Sequence, residues 1–113
     1  MISQGDVWWA ELPEARGSEP GFRRPVVIVQ GEALNCSRIA TIVCVAITSN
    51  LKWATAPGNV LLSADIIGLS KDSVANVSQI VTLDRKLLVE YVGRLPEPLL
   101  NLVLSGIDVV LGR

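Results

Sequence analysis

Arg23 and Arg24 stand side by side in the stretch GFRRPVVIVQ, residues 21–30, between a glycine and a proline and just ahead of an apolar run. A strand rarely needs a cationic pair at its mouth, whereas a site that handles negative charge does. A guanidinium is planar, always charged, and carries a rigid fork of N–H donors matched to paired oxygens. Pro25 narrows the conformations open to Arg24 and so lowers the entropy of holding it in one place, and Gly21 lets the preceding chain bend. The plain alternative is that both arginines only solvate a strand end. The chain contains no histidine. That removes His-based triads, the paired-histidine route to RNA cleavage, and His-ligated metals. Chemistry is left to Arg, Lys, carboxylates, hydroxyls or Cys.

Composition restricts the scaffold that must carry such a site. With 113 residues, half of them apolar and 19% charged, the chain suits one folded domain over residues 1–113 and not a disordered segment. Abundant Val, Ile and Leu with few aromatics suggest a β-rich interior. The formal charge of −1 offers no global attraction to nucleic acid, so any such binding must rest on a local basic patch. No apolar run approaches the ~18 residues needed to cross a bilayer. The opening MISQGDVWWAELPE lacks the basic-then-apolar layout of a signal peptide, so a soluble, cytoplasmic protein is expected. Cys36 and Cys44 are too few for a zinc site, and Cys44 reads as a small core residue.

The elements follow from pattern. DVWWAEL (6–12) reads as a first strand. PEARGSEPGF (13–22), with its prolines and glycines, predicts a mobile loop of about ten residues. PVVIVQ (25–30) is a buried strand with Pro25 at its first position, GEALNCSR a helical turn, and TIVCVAIT (41–48) a second buried strand. SNLKWATAPGN (49–59) is a polar loop. NVLLSAD, VANVSQIVTLD (74–84) and LVEYVGRL (88–95) supply further strands. From Pro96 the period becomes helical: Leu100, Val103, Leu104, Ile107 and Leu111 share a face, with Pro98 in the first turn and Gly112 as the cap. Leu99, Leu102 and Val109 lie off that face, so the helix is either deeply sunk or covered by a second subunit. Trp8 and Trp9 should point to opposite faces, one into the core and one towards a groove or dimer contact.

Five blocks, GDVWWAEL, GSEPGFRRPVVIVQ, AITSN, KDSVANVSQIVTLD and VGRL with its closing helix, resemble the MazF/PemK family of bacterial toxins in order and spacing, from Gly5 to the C-terminus. The resemblance implies a mainly β fold: a small, strongly bent antiparallel SH3-like barrel of the CcdB/MazF kind with a C-terminal helix, assembled as a homodimer. It implies the toxin of a type II toxin–antitoxin system, a sequence-specific endoribonuclease that cleaves single-stranded RNA without metal or other cofactor and is restrained by a MazE-like antitoxin. The reaction would be attack of a ribose 2′-OH on the adjacent phosphorus, leaving a 2′,3′-cyclic phosphate and a 5′-OH.

Mapped onto this chain, the resemblance makes Arg24 the stabiliser of the doubly charged phosphorane and Thr48 a second donor to a non-bridging oxygen. Arg24 holds its proton too tightly to be an easy base. Glu19, in the block Gly17, Ser18, Glu19, would accept the 2′-OH proton or merely orient Arg24. Ser49, Asn50, Lys52 and Trp53 offer amide, cation and indole to splayed bases; Arg16 and Arg23 can meet phosphates, and Gln79 a base edge. Some members carry Arg-x-Asp where this chain has Asn76, Val77 and Ser78, which places more weight on Arg24 and Thr48. Pro20 replaces the commoner Gln and should stiffen its loop. A rival reading is a CcdB-like toxin that poisons DNA gyrase by protein contact without catalysis. Such toxins use aromatic and acidic residues at the end of the last helix, whereas this chain ends VVLGR. A member that only binds its antitoxin is the third possibility.

Overall fold

Continuous apolar runs become the central strands, because a strand covered on both faces has no polar side to show. In the computed structural model, which describes residues 1–12 and 22–113, the strands are β1 (Asp6–Leu12), β2 (Phe22–Ile28), β3 (Thr41–Thr48), β4 (Val60–Leu62), β5 (Ser73–Asp84) and β6 (Leu88–Arg94). They form one sheet in the order β4-β5-β3-β2-β1-β6, and the pairings along it are antiparallel. Helical pieces are α1 (Glu32–Asn35), α2 (Ala64–Ile67) and α3 (Glu97–Leu111), with 3₁₀ turns at Leu51–Thr55 and Arg85–Leu87.

The sheet curls into a half-barrel that brings its two ends together. The α2 turn after β4 lands on β6 at the far edge: a Cβ on Gly68 would lie 3.5 Å from the Val92 side chain, and one on Gly93 would lie 3.6 Å from the Ile67 carbonyl oxygen. Val7, Val27, Val45, Ile47, Leu62 and Val77 bury one face of the sheet against Leu100 and Val103 of α3. Ala10, Val26, Ile28, Ile42, Cys44 and Leu83 pack together in a second cluster. Among the described residues no helix is long and apolar enough to cross a membrane.

Four expectations need correction. Pro25 lies inside β2, not at its start, since the strand begins at Phe22 and ends at Ile28. It is tolerated because β2 pairs with β3 only from Val26 to Ile28, which leaves residues 22–25 at an open edge. NVLLSAD is not all strand: β4 ends at Leu62 and Ala64–Ile67 turns helical, closed by Gly68 at φ 78°. The polar loop 49–59 contains the 3₁₀ turn, capped by Asn50, whose side chain accepts from the Lys52 N–H. On α3, Leu100 and Val103 are buried as the period requires, but Leu111 is exposed. The helix packs on β4 and β5, and its last turn makes no comparable contact with the sheet.

Candidate active site

Past Val26 and Ala46 the ladder between β2 and β3 stops, and the two strands part. The opening becomes a cavity of about 420 Å³, within the range of small-ligand sites. Among the described residues, β2 supplies Arg23 and Arg24, the end of β3 leads to Ser49, and the turn before β5 brings Lys71. Pro25, Ile47 and Leu69 give it an apolar part; Ser70 and Ser73 add hydroxyls. Three cations around partly apolar walls is an arrangement that attracts an anion and strengthens its hydrogen bonds by excluding water.

The register of β2 and β3, continued two residues beyond their last paired positions, sets Arg24 opposite Thr48 and Pro25 opposite Ile47. Arg24 and Thr48 therefore belong to one face of the strand pair, while Ile47, fully buried, belongs to the other. The Thr48 Oγ1 accepts from the Asn50 N–H at 3.2 Å, which fixes the turn leaving β3. Ser49 and Arg24 line the cavity, whereas Thr48 is not among its lining residues.

Arg23 is held from two sides. Its Nη2 donates to Glu90 Oε1 at 2.9 Å, and its guanidinium sits 5.2 Å from the centre of the Trp9 ring. Trp9 and Glu90 are direct partners across β1 and β6, so strand order assembles this trio from three distant pieces of sequence. The two tryptophans point to opposite faces of β1, as the alternation predicts, with Trp8 packed against the second core cluster beside Ala10 and Leu12. Trp9 lines the cavity. Trp8 is half-buried, edge-on to Tyr91 at 5.5 Å between ring centres, with its indole N–H 3.4 Å from Asp6. Register shifts between β1 and β6 fall on either side of the pair, while the register of β1 with β2 is continuous.

Asn50, Lys52 and Trp53 lie on the adjoining surface rather than in the cavity wall. Lys52 Nζ stands 5.1 Å from the Trp53 ring centre. Asn59 ties this segment to β5: its Nδ2 donates to the Trp53 carbonyl at 2.9 Å, and its Oδ1 accepts from the Val77 N–H at 2.9 Å. Asn76 and Ser78 join the same network, with Asn76 Oδ1 accepting from Asn59 at 3.3 Å and from Ser78 Oγ at 3.1 Å. Gln79 follows on β5, where the register with β3 shifts, and is not part of the cavity lining. Arg16 and Glu19 lie outside the described residues, as do Gly21 and the rest of the predicted loop from Pro13. Among the described residues no three His, Cys, Asp or Glu side chains come together as a metal site.

Residues 3–111 match the family described as PemK-like, MazF-like toxin of type II toxin–antitoxin system. The chain belongs to this family. It is 43% identical over 111 residues to Endoribonuclease MazF6 of Mycobacterium tuberculosis, covering 98% of this chain and 97% of that protein. Its fold is similar to the crystal structure of MazF from Deinococcus radiodurans, with a TM-score of 0.82, 24% identity, and coverage of 99% and 97% of the two chains. It is also similar to a mycobacterial endoribonuclease solved in complex with its cognate antitoxin, with a TM-score of 0.74, 23% identity, and coverage of 98% and 93%. The strongly bent antiparallel sheet with a closing C-terminal helix, expected from the five sequence blocks, is thus the fold of this PemK/MazF-like toxin.

Three features of this family member were not singled out in its sequence. Lys71 sits in a short polar turn with nothing in its spacing to mark it. Glu90 has no sequence signal at all, because only strand order puts β6 beside Arg23. Phe22 did carry one, being the only phenylalanine and adjoining the arginine pair. It lines the cavity, is 68% exposed, and holds φ at 60°, a left-handed conformation that costs a non-glycine residue about 1–2 kcal/mol.

Proposed function

We propose that the chain is the toxin of a type II toxin–antitoxin pair and acts as an endoribonuclease on single-stranded RNA. The observation that carries this reading is the cavity at the parting of β2 and β3, lined by Arg23, Arg24 and Lys71. In-line attack of a 2′-OH on phosphorus concentrates negative charge on the phosphorane oxygens. Fixed donors aimed at them give the largest single contribution to such a reaction, each worth about 3–4 kcal/mol. Arg24 supplies the charged fork and Thr48 the second donor. Glu19 remains the candidate to accept the 2′-OH proton or to orient Arg24. Arg16, Arg23 and Lys71 meet flanking phosphates. Phe22, Trp53 and Lys52 offer planes and charge to splayed bases, with Ser49, Asn50 and Gln79 as edge readers.

The MazF relatives named as endoribonucleases support an enzyme rather than a non-catalytic gyrase poison. The antitoxin-bound neighbour supports an antitoxin partner, and an extended acidic segment of it paired to the arginines would exclude RNA without altering the catalytic residues. Two copies joined through α3 would line up two such grooves. The test is direct. Purified protein in excess EDTA is incubated with a long mixed single-stranded RNA, and the new ends are mapped. Cleavage with 5′-hydroxyl ends, and resistance of the same sequence in a duplex, are expected. Activity that disappears with chelation, or 5′-phosphate ends, overturns the mechanism.

A further inference from the structure

Glu90 is bonded to the cationic wall of the cavity through Arg23, and the energy of that pair is small. The pair is half-exposed on both sides, at 51% and 62%, and such pairs contribute only about 0–1 kcal/mol to a fold. Trp9 holds the same guanidinium from another side, its ring centre 5.2 Å away. What the carboxylate does add is occupancy. Its two oxygens match a guanidinium fork much as the non-bridging oxygens of a phosphodiester do.

We propose that Glu90 is a stand-in for RNA phosphate on Arg23, and that it sets the affinity of the site by making each bound phosphate compete with a carboxylate of the protein. The proposal rests on the RNA reading of the cavity. Its consequence is that a passing phosphate finds Arg23 already engaged by Glu90 at 2.9 Å. Non-specific polyanions therefore gain little from Arg23. An RNA strand seated through Arg24 and the cavity brings its next phosphate to Arg23 at high local concentration, and can displace the carboxylate.

The experiment compares wild type, Glu90→Gln, Arg23→Gln and the double variant. The probe is a single-stranded RNA oligonucleotide made uncleavable by 2′-deoxy substitution at the scissile nucleotide, titrated at several salt concentrations. Glu90→Gln keeps the shape and removes the charge. Its Kd is expected to fall about three- to fivefold at low salt, with the plot of log affinity against log salt steeper by about 0.7, one extra phosphate contact on a single strand. Arg23→Gln weakens binding, and adding Glu90→Gln to it has no further effect. Glu90→Ala serves as the second variant and should tighten binding in the same Arg23-dependent way, with thermal melts checking that each protein is folded. Unchanged or weaker binding by both Glu90 variants overturns the proposal, and weaker binding would assign the carboxylate to orienting Arg23. Equal tightening in the Arg23→Gln background also overturns it, since the effect would then be general charge. Arg23-dependent tightening in a protein that cleaves no single-stranded RNA would overturn the functional reading alone. If neither wild type nor Glu90→Gln binds the oligonucleotide, both fail.

Discussion

Gly58 and Gly106 meet backbone to backbone where α3 crosses the turn that leads into β4. A Cβ on Gly58 would stand 2.8 Å from the Gly106 carbonyl oxygen, and one on Gly106 would drive into the Gly58 carbonyl while lying 3.1 Å from the Val77 side chain. This contact lets the helix sit down on β4 and β5, so that Val103 is fully buried and Leu100 nearly so. Two opposing magnitudes decide what an alanine would do at Gly106. Helix propensity would improve by about 1 kcal/mol, but the obstruction is backbone, which yields little, and overpacking of this kind costs about 1–3 kcal/mol. A clash with a backbone carbonyl belongs at the upper end of that range, about 2 kcal/mol net, so Gly106→Ala should lower Tm by about 4 °C or more. A melt at or above the wild-type Tm would show that the helix can shift without loss.

The register of β2 and β3, continued past its last pair, sets Arg24 opposite Thr48. Arg24→Lys keeps the charge and loses the fork, so RNA cleavage should fall more than tenfold while the circular dichroism spectrum is unchanged. Thr48→Val keeps the β-branched shape and removes the donor, with a loss in kcat of about a hundredfold. It also removes the acceptor for the Asn50 N–H, so a melt must accompany the rate. Equal small losses at Arg23→Lys and Arg24→Lys would mean the pair is only a generic basic patch.

Burial separates the two thiols. Cys44 is enclosed, and desolvation pushes its thiol from 9.0 up to about 12. Cys36 is exposed. Mass spectrometry of native protein treated with iodoacetamide at pH 8 should find one adduct, on Cys36, with Cys44 reacting only after denaturation. Linkage gives the sign of the pH effect. Between about pH 9 and 12 the unfolded chain releases the Cys44 proton while the folded chain retains it, so this group's contribution to stability is intact below pH 9 and is lost as pH rises. Cys44→Ala should flatten that part of the alkaline stability curve. An unchanged slope would show that Cys44 is not its cause.

The outer side of α3 carries an apolar patch among polar residues. Leu102 and Val109 are 54% and 55% exposed, and together with Leu61 of the edge strand β4, 56% exposed, they line one shallow groove. On the proposed dimer, sedimentation at micromolar concentration should give about twice the monomer mass of 12.1 kDa. Leu102→Glu would then place a charge in an apolar interface and shift the protein to monomer without unfolding it. A wild-type monomer throughout that range, or a Leu102→Glu dimer, rejects this face as the interface.

The sequence by itself determined what depends on local chemistry and period. TIVCVAIT could be read as β3 over Thr41–Thr48 because an unbroken apolar run is what a strand covered on both faces requires. The threefold and fourfold spacing of Leu100, Val103 and Leu104 likewise marked α3 before Gly112 closed it at φ 72°. The family blocks singled out Arg24 and Thr48, whose residue types alone suit phosphate. Tertiary structure decided everything that depends on which strands are neighbours. Pro25 looked like a strand start because its missing donor breaks a ladder, and only the open edge of β2 explains its place inside the strand. Glu90 lies 67 residues from Arg23 and reaches it only because β6 pairs with β1 while β1 pairs with β2. Lys71 reaches the cavity because the start of β5 pairs with the end of β3, Val74 opposite Thr48, and Gly106 is required by the approach of Gly58 rather than by any helical period. Side-chain pattern reports what one segment buries; which segments then share a wall depends on sheet order and curvature, and these are properties of the whole chain.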